Sequence, residues 1–209
     1  MFAPRMTAFQ EFMTQETLPL STIQNAVLEF LQGRDDVVLF GAQAVNAYVP
    51  EPRMTQDVDL MAQNAVAFAD ELKTYLSERF HIDTRVREIG AGRGYRLYQV
   101  QKTGNRHLVD VRPAERLPDS QRISDILVMA PAELVAAKVL AYANRQGNPK
   151  AGTDWRDLAM LLLAFPELKS APATVAARLA AMGAGDDVQA TWQRLAAQEI
   201  RADDEADEF

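Results

Sequence analysis

The chain has 209 residues, of which 48% are hydrophobic, a net charge of −7 and no cysteine. That length supports a sizeable core in one large domain or two small lobes. Lack of cysteine excludes a disulfide framework and a thiolate metal centre, and agrees with a reducing interior. The opening MFAPRMTAFQEF has no continuous apolar run, and the apolar stretch at 158–165 is too short to span a bilayer. A soluble, cytoplasmic, enzyme-sized globule with no membrane segment is expected.

In chain order, Ser21-Thr22 ahead of Ile23, Val27, Leu28 and Leu31 predicts a capped amphipathic helix ending near Gly33. A first strand follows at 37–40 and a short helix at 42–49, stopped by Pro50 and Pro52. The pattern then predicts a strand at 57–61 and a helix at 66–80 with Phe68, Leu72, Tyr75 and Leu76 inward. Three more strands are expected at 82–89, 95–101 and 107–112, the last two joined by a Thr103-Gly104-Asn105 turn. Gly90, Gly92 and Gly94 have no helix after them, so they read as a hairpin tip rather than a phosphate loop. From Pro131 the pattern becomes helical and rich in Ala and Leu, broken at 147–152 and 166–172, and it ends in an acidic, frayed tail at 203–209. The expected domains are therefore a core over 1–125, a helical lobe over 126–200 and a tail over 201–209.

Charge is unevenly spread. Residues 199–209 carry six acids and one base, whereas nine bases between Arg85 and Arg122 face four acids. The basic segment suits either phosphates or the solvated outer faces of strands.

The chemistry concentrates at Gly41-Ala42 and at Asp57-Val58-Asp59-Leu60. Gly41 and Ala42 follow a strand directly, and small residues there let backbone approach a bulky anion. In an extended strand Asp57 and Asp59 share one face while Val58 and Leu60 take the other. Like charges so close need a cation between them, and hard oxygen ligands suit Mg²⁺ or Mn²⁺. Asp110, between Val109 and Val111, would add a third carboxylate to that face if its strand lies alongside; otherwise it faces solvent or pairs with an arginine. His81 and His107 lack ligand spacing and receive no catalytic role.

Together, Gly41-Ala42, Asp57-Val58-Asp59-Leu60 and Asp110 resemble the DNA polymerase β-type nucleotidyltransferase superfamily, with Ala42 where its motif has Gly or Ser. With Arg53 and Thr55 included, the string resembles most the abortive-infection toxin branch, the nucleotidyltransferases of bacterial type IV toxin-antitoxin systems. The resemblance covers about 35–160. It implies an α+β nucleotidyltransferase fold: a mixed, mostly antiparallel sheet with flanking helices and a helical C-terminal lobe. It implies a nucleoside triphosphate substrate, an RNA or protein acceptor, an antitoxin partner and two-metal phosphoryl transfer, with two Mg²⁺ (or Mn²⁺) ions on Asp57, Asp59 and Asp110, which would also be catalytic. Nucleotide would be bound by Gly41, Ala42, Arg53, Thr55, Lys138 and Arg145.

Lys138 interrupts an apolar helical stretch and shares a face with Arg145, so it reads as a catalytic cation near phosphate or as a snorkelling lysine. Asp154 and Asp157 resemble the branch's Asp-x-x-Asp segment as accessory site residues. Helix capping by Thr153 or Asp154, or ion pairs with Lys138 or Arg145, competes with that role. Trp155 suits base stacking or core packing. The function implied is transfer of a nucleoside monophosphate to an RNA or protein hydroxyl, as a toxin. The alternatives are a non-catalytic partner-binding module on the same fold, and a metal-dependent nuclease or phosphohydrolase.

Overall fold

The computed structural model describes residues 18–102 and 104–201. The opening segment, Thr103 of the expected turn and the acidic tail at 203–209 lie outside them.

Eight helices and seven strands are formed among the described residues. Helix α1 (Leu20–Leu31) buries Ile23, Ala26, Val27 and Leu31. It starts one residue before Ser21, after Pro19, and no side chain caps it, so the expected Ser-Thr cap is not made. Strand β1 (Val37–Phe40) is buried along its whole length, as a continuous apolar run in a central strand should be. It leads directly into α2 (Gly41–Asn46). Strand β2 (Val58–Ala62) alternates, with Val58, Leu60 and Ala62 buried and Asp59 and Met61 on the other face. Helix α3 (Ala65–Phe80) begins with the Asn64 side chain accepting from the N–H of Ala67, and packs Phe68, Leu72 and Leu76 inward.

Strands β3 (Thr84–Ile89), β4 (Gly94–Gln99) and β5 (Arg106–Pro113) form an antiparallel meander. The tip between β3 and β4 has positive φ at Gly90, Ala91 and Gly92, the conformation a tight hairpin demands. Strands β6 (Ser120–Ile123) and β7 (Ile126–Met129) were not legible in the sequence. Their two-residue turn, Ser124-Asp125, has positive φ at both positions without the glycine or asparagine that usually marks such a turn.

The sheet order is β3-β4-β5-β2-β1-β7-β6. Four of the six neighbouring pairs are antiparallel; β1 with β7 and β2 with β5 are parallel. Helices α1 and α3 pack against each other, α3 against β2 to β5, and α1 against β5 and β7. Arg34 joins α1 to α3, its guanidinium 5.0 Å from the ring centres of both Phe30 and Phe68.

The remaining helices are α4 (Pro131–Asn144), α5 (Lys150–Ala164), α6 (Glu167–Ser170), α7 (Ala173–Ala181) and α8 (Asp186–Ala197). Helix α4 is central to this layer, packing on α2, α5, α7 and α8 through Leu134, Val135 and Val139. Trp192 of α8 is fully buried and donates its indole N–H to the Pro172 carbonyl at 2.9 Å. Because α5 begins at Lys150, Gly152 and Thr153 lie within its first turn and neither Thr153 nor Asp154 caps it.

Candidate active site

The sheet face opposite α1 and α3 forms the floor of a cleft of about 990 Å³, walled on the far side by α4 and the start of α5. Lining it are Gly41, Ala42, Arg53, Thr55, Asp57, Asp59, Asp110, Lys138, Arg145 and Asp154, from distant parts of the sequence. Asp157 lies behind the wall, fully buried.

Strand pairing assembles the carboxylates. Asp59 of β2 is directly opposite Asp110 of β5 in a parallel pair, and Asp57 precedes β2 by one residue. Side chains directly opposite on neighbouring strands share a face, so the three acids meet on the cleft floor. Asp59 has no hydrogen-bond donor among the described residues. Burial, reinforced by the charge of Asp57, pushes its carboxyl up to about 6, with Arg112 and Lys138 pulling the other way.

Gly41 contributes to this arrangement through its missing side chain. Its φ is +69°, and a Cβ there would overlap the Asp59 carboxylate, reaching 2.7 Å from its Cγ. The space beside this backbone is taken by Asp59, a role distinct from the close approach to an anion expected from sequence.

Asp110 is bonded far more heavily. Arg96 Nε donates to Oδ1 at 2.6 Å and Nη2 to Oδ2 at 2.8 Å, and His107 Nε2 lies 2.9 Å from Oδ1. Burial alone would raise this carboxyl, but the Arg96 and His107 contacts overcome it and hold Asp110 well below the usual carboxylate range. The other imidazole nitrogen of His107 is 3.3 Å from Asp57 Oδ2.

His107, given no role from sequence, reaches this face through a bulge. Arg96 and Tyr98 of β4 share a face and pair with Asp110 and His107, while Leu97 pairs with Val109, so β5 carries one extra residue at Leu108. The insertion reverses the parity that would otherwise set His107 against Asp110. Within the basic segment, only Arg96 and Arg112 line the cleft. Arg112 is two residues beyond Asp110 and stacks on Phe40 at 5.1 Å from the ring centre.

The wall is an ion-pair chain. Asp157 receives Arg53 Nε at 2.7 Å, Arg53 Nη2 at 2.9 Å and Lys138 Nζ at 2.6 Å. Lys138 also lies 3.8 Å from Asp154, which receives Arg145 Nη1 at 2.8 Å. Three cations against two acids leave one positive charge beside the carboxylate floor. Burial opposes the charge on Asp157, yet Arg53 and Lys138 hold its carboxyl below the usual value. Lys138 is thus a buried pairing partner, not a snorkelling side chain. Trp155 packs near Tyr142, with ring centres 6.2 Å apart, and does not line the cleft.

Thr55 anchors the loop carrying Arg53 and Asp57. Its hydroxyl accepts from Gln43 Nε2 at 2.9 Å and its carbonyl from Gln24 Nε2 at 3.0 Å. Asn46 exchanges two hydrogen bonds with the Arg53 backbone at 2.8 and 3.0 Å. These glutamines and this asparagine position the site without entering the motif.

The chemistry of this donor set fits a divalent cation. Asp57 and Asp59 both line this floor, Asp59 with no hydrogen-bond donor among the described residues, and carboxylate oxygens are what Mg²⁺ and Mn²⁺ bind.

The architecture is that of a nucleotidyltransferase fold. Similar solved structures include the Megavirus polyadenylate synthase (TM-score 0.57, 13% identity, 70% of this chain and 32% of that one). An antigenic nucleotidyltransferase-like protein from Paracoccidioides brasiliensis (TM-score 0.50, 19% identity) and JHP933 from Helicobacter pylori (TM-score 0.51, 12% identity) each match over 85% of this chain and 87% of theirs. The chain spans about a third of the length of the polyadenylate synthase. Residues 25–208 match the family described as nucleotidyl transferase AbiEii toxin, type IV toxin-antitoxin system, and the chain belongs to that family. No curated protein matches it. No helix among the described residues is long and apolar enough to cross a membrane.

Proposed function

We propose that this protein moves a nucleoside monophosphate from a nucleoside triphosphate to a hydroxyl of RNA or protein, with Mg²⁺ or Mn²⁺ as cofactor, and that it is the toxin of a pair silenced by an antitoxin. The observation that carries the reading is the strand register that sets Asp59 beside Asp110, with Asp57 adjoining, beneath a wall bearing Arg53, Lys138 and Arg145.

Asp57 and Asp59 would hold the cation, which when bound offsets charge at the α-phosphate and lowers the pKa of the acceptor hydroxyl. The remaining work belongs to the chain. Lys138 and Arg145, positioned by Asp154 and Asp157, offer positive charge to the triphosphate, and Arg112 adds to it from the floor. Gly41 and Ala42 line the cleft where α2 begins; Gly41 leaves room for the Asp59 carboxylate, and Ala42 would bring backbone to the phosphates. The acceptor oxygen forms a bond to the α-phosphorus while the bond from that phosphorus to the bridging oxygen breaks. Pyrophosphate departs with the electron pair, and the hydroxyl proton passes through the cleft carboxylates to solvent. Asp110, bonded on both oxygens, is a weaker base than Asp59.

The test is transfer of label from each of the four α-³²P nucleoside triphosphates, with Mg²⁺, into total RNA and protein of a host lysate. Label with the intact protein and none with Asp59→Ala is the expected result. Release of phosphate or cutting of RNA without incorporation would instead indicate hydrolysis, and no reaction of any kind would indicate a binding module.

A further inference from the structure

We propose that Arg96 and His107 withdraw Asp110 from the ligand set, so that the cleft takes a single divalent cation, on Asp57 and Asp59, beside an Arg96–Asp110 pair that is closed as a neutral unit. This rests on the reading of the cleft as a metal-dependent transferase site and narrows it.

A carboxylate offers about four lone-pair sites. At Asp110 three are taken: two on Oδ1, by Arg96 Nε at 2.6 Å and His107 at 2.9 Å, and one on Oδ2, by Arg96 Nη2 at 2.8 Å. A cation seeking the fourth would meet a guanidinium held in a two-bond fork against the same carboxylate. The fork is built into the sheet, since Arg96 and Asp110 are direct partners across the antiparallel pair of β4 and β5.

Ligand atoms of Asp57, His107 and Asp110 all lie within 4.8 Å of one another, which by distance alone resembles a metal site. They are close because the imidazole lies between the two carboxylates, 3.3 Å from Asp57 and 2.9 Å from Asp110. A cation there would have to displace His107 from both. Asp59 differs in having no donor among the described residues, so its oxygens remain for a cation, and Asp57 retains an oxygen that does not face His107. Arg96 and His107 are positioning residues on this reading: they fix Asp110 as a neutralised wall of the site.

The test uses Mn²⁺ alone, added to the full chain at neutral pH, with free Mn²⁺ read by its electron paramagnetic resonance signal. One Mn²⁺ per chain is expected, lost in Asp59→Asn. The double variant Arg96→Gln with Asp110→Asn removes the pair as a neutral unit and should retain that site, weakened no more than about tenfold, the lower range for groups outside the ligand shell. Arg96→Gln alone frees Asp110 and should admit a second Mn²⁺. Two Mn²⁺ in the unaltered protein, or loss of binding in the double variant, overturns the single-cation site while leaving a metal-dependent enzyme. No Mn²⁺ binding by the unaltered protein overturns the metal-dependent reading beneath it.

Discussion

Replacing Asp59 by Asn should make the metal-free protein more stable while removing its response to divalent cations. Burial and the neighbouring Asp57 raise the Asp59 carboxyl from 3.8 to about 6. A rise of that size, at about 1.4 kcal/mol for each tenfold change in proton affinity, corresponds to a penalty of roughly 3 kcal/mol once the group is ionised. The folded state binds more protons than the unfolded chain through this window, so the sign is negative: stability is lost as pH rises from about 4 to 6, and the whole penalty stands above 6. Urea unfolding in chelator should therefore show Asp59→Asn ahead of the unaltered protein by about 3 kcal/mol at pH 8, a midpoint difference near 1.5 M for a slope of about 2 kcal/mol/M. At pH 5 the gap should shrink to roughly half. Millimolar Mg²⁺ should stabilise the unaltered protein and leave Asp59→Asn where it was. If the variant is the less stable protein at pH 8 without metal, Asp59 is not an uncompensated buried charge, and the reasoning that places a cation on it fails.

Asp157→Ala strands two cations, Arg53 and Lys138, and should cost about 3–5 kcal/mol in urea unfolding; a loss below about 1 kcal/mol would mean that both cations find solvent. Gly41→Ala forces a left-handed residue, worth roughly 1–2 kcal/mol, and pushes its methyl into the Asp59 carboxylate. Thermal unfolding should reveal the destabilisation, and loss of the Mg²⁺ response should accompany it. Trp192→Ala empties the contact between α8 and the segment before α7, and should cost about 3–5 kcal/mol. A change within error would show that the helical layer repacks freely around α8.

Much of the fold followed from patterns that need no partner. Apolar runs and their breaks placed β1, α3 and the meander within a few residues, because periodicities of 2 and 3.6 are properties of a single segment. The β6–β7 hairpin escaped because its turn puts Ser124 and Asp125 at positive φ, which composition does not announce. The start of α5 escaped because Gly152 suggested a break where the helix already runs.

At the site, the one-residue spacing of Asp57 and Asp59 was enough to put both on one face, since strand parity is set locally. Asp110 was legible as their companion only by resemblance and on the condition that its strand lay alongside, and Arg96 and His107 were given no role at the site. Asp110 joins Asp59 through register between strands about fifty residues apart, Arg96 joins Asp110 across a different pair, and His107 reaches the same face only because Leu108 is bulged. Buried charge is likewise invisible until packing removes water: Asp154 and Asp157 read equally well as first-turn acids, and burial against Arg53, Lys138 and Arg145 makes them the holders of the cationic wall. The sequence by itself determined which segments are helix or strand and which acids share a strand face, because those depend on residues near in the chain. Strand register, the bulge at Leu108 and the pairing of every cation in the cleft were decided only by the tertiary structure, because they depend on which distant segments come into contact and on the water they exclude.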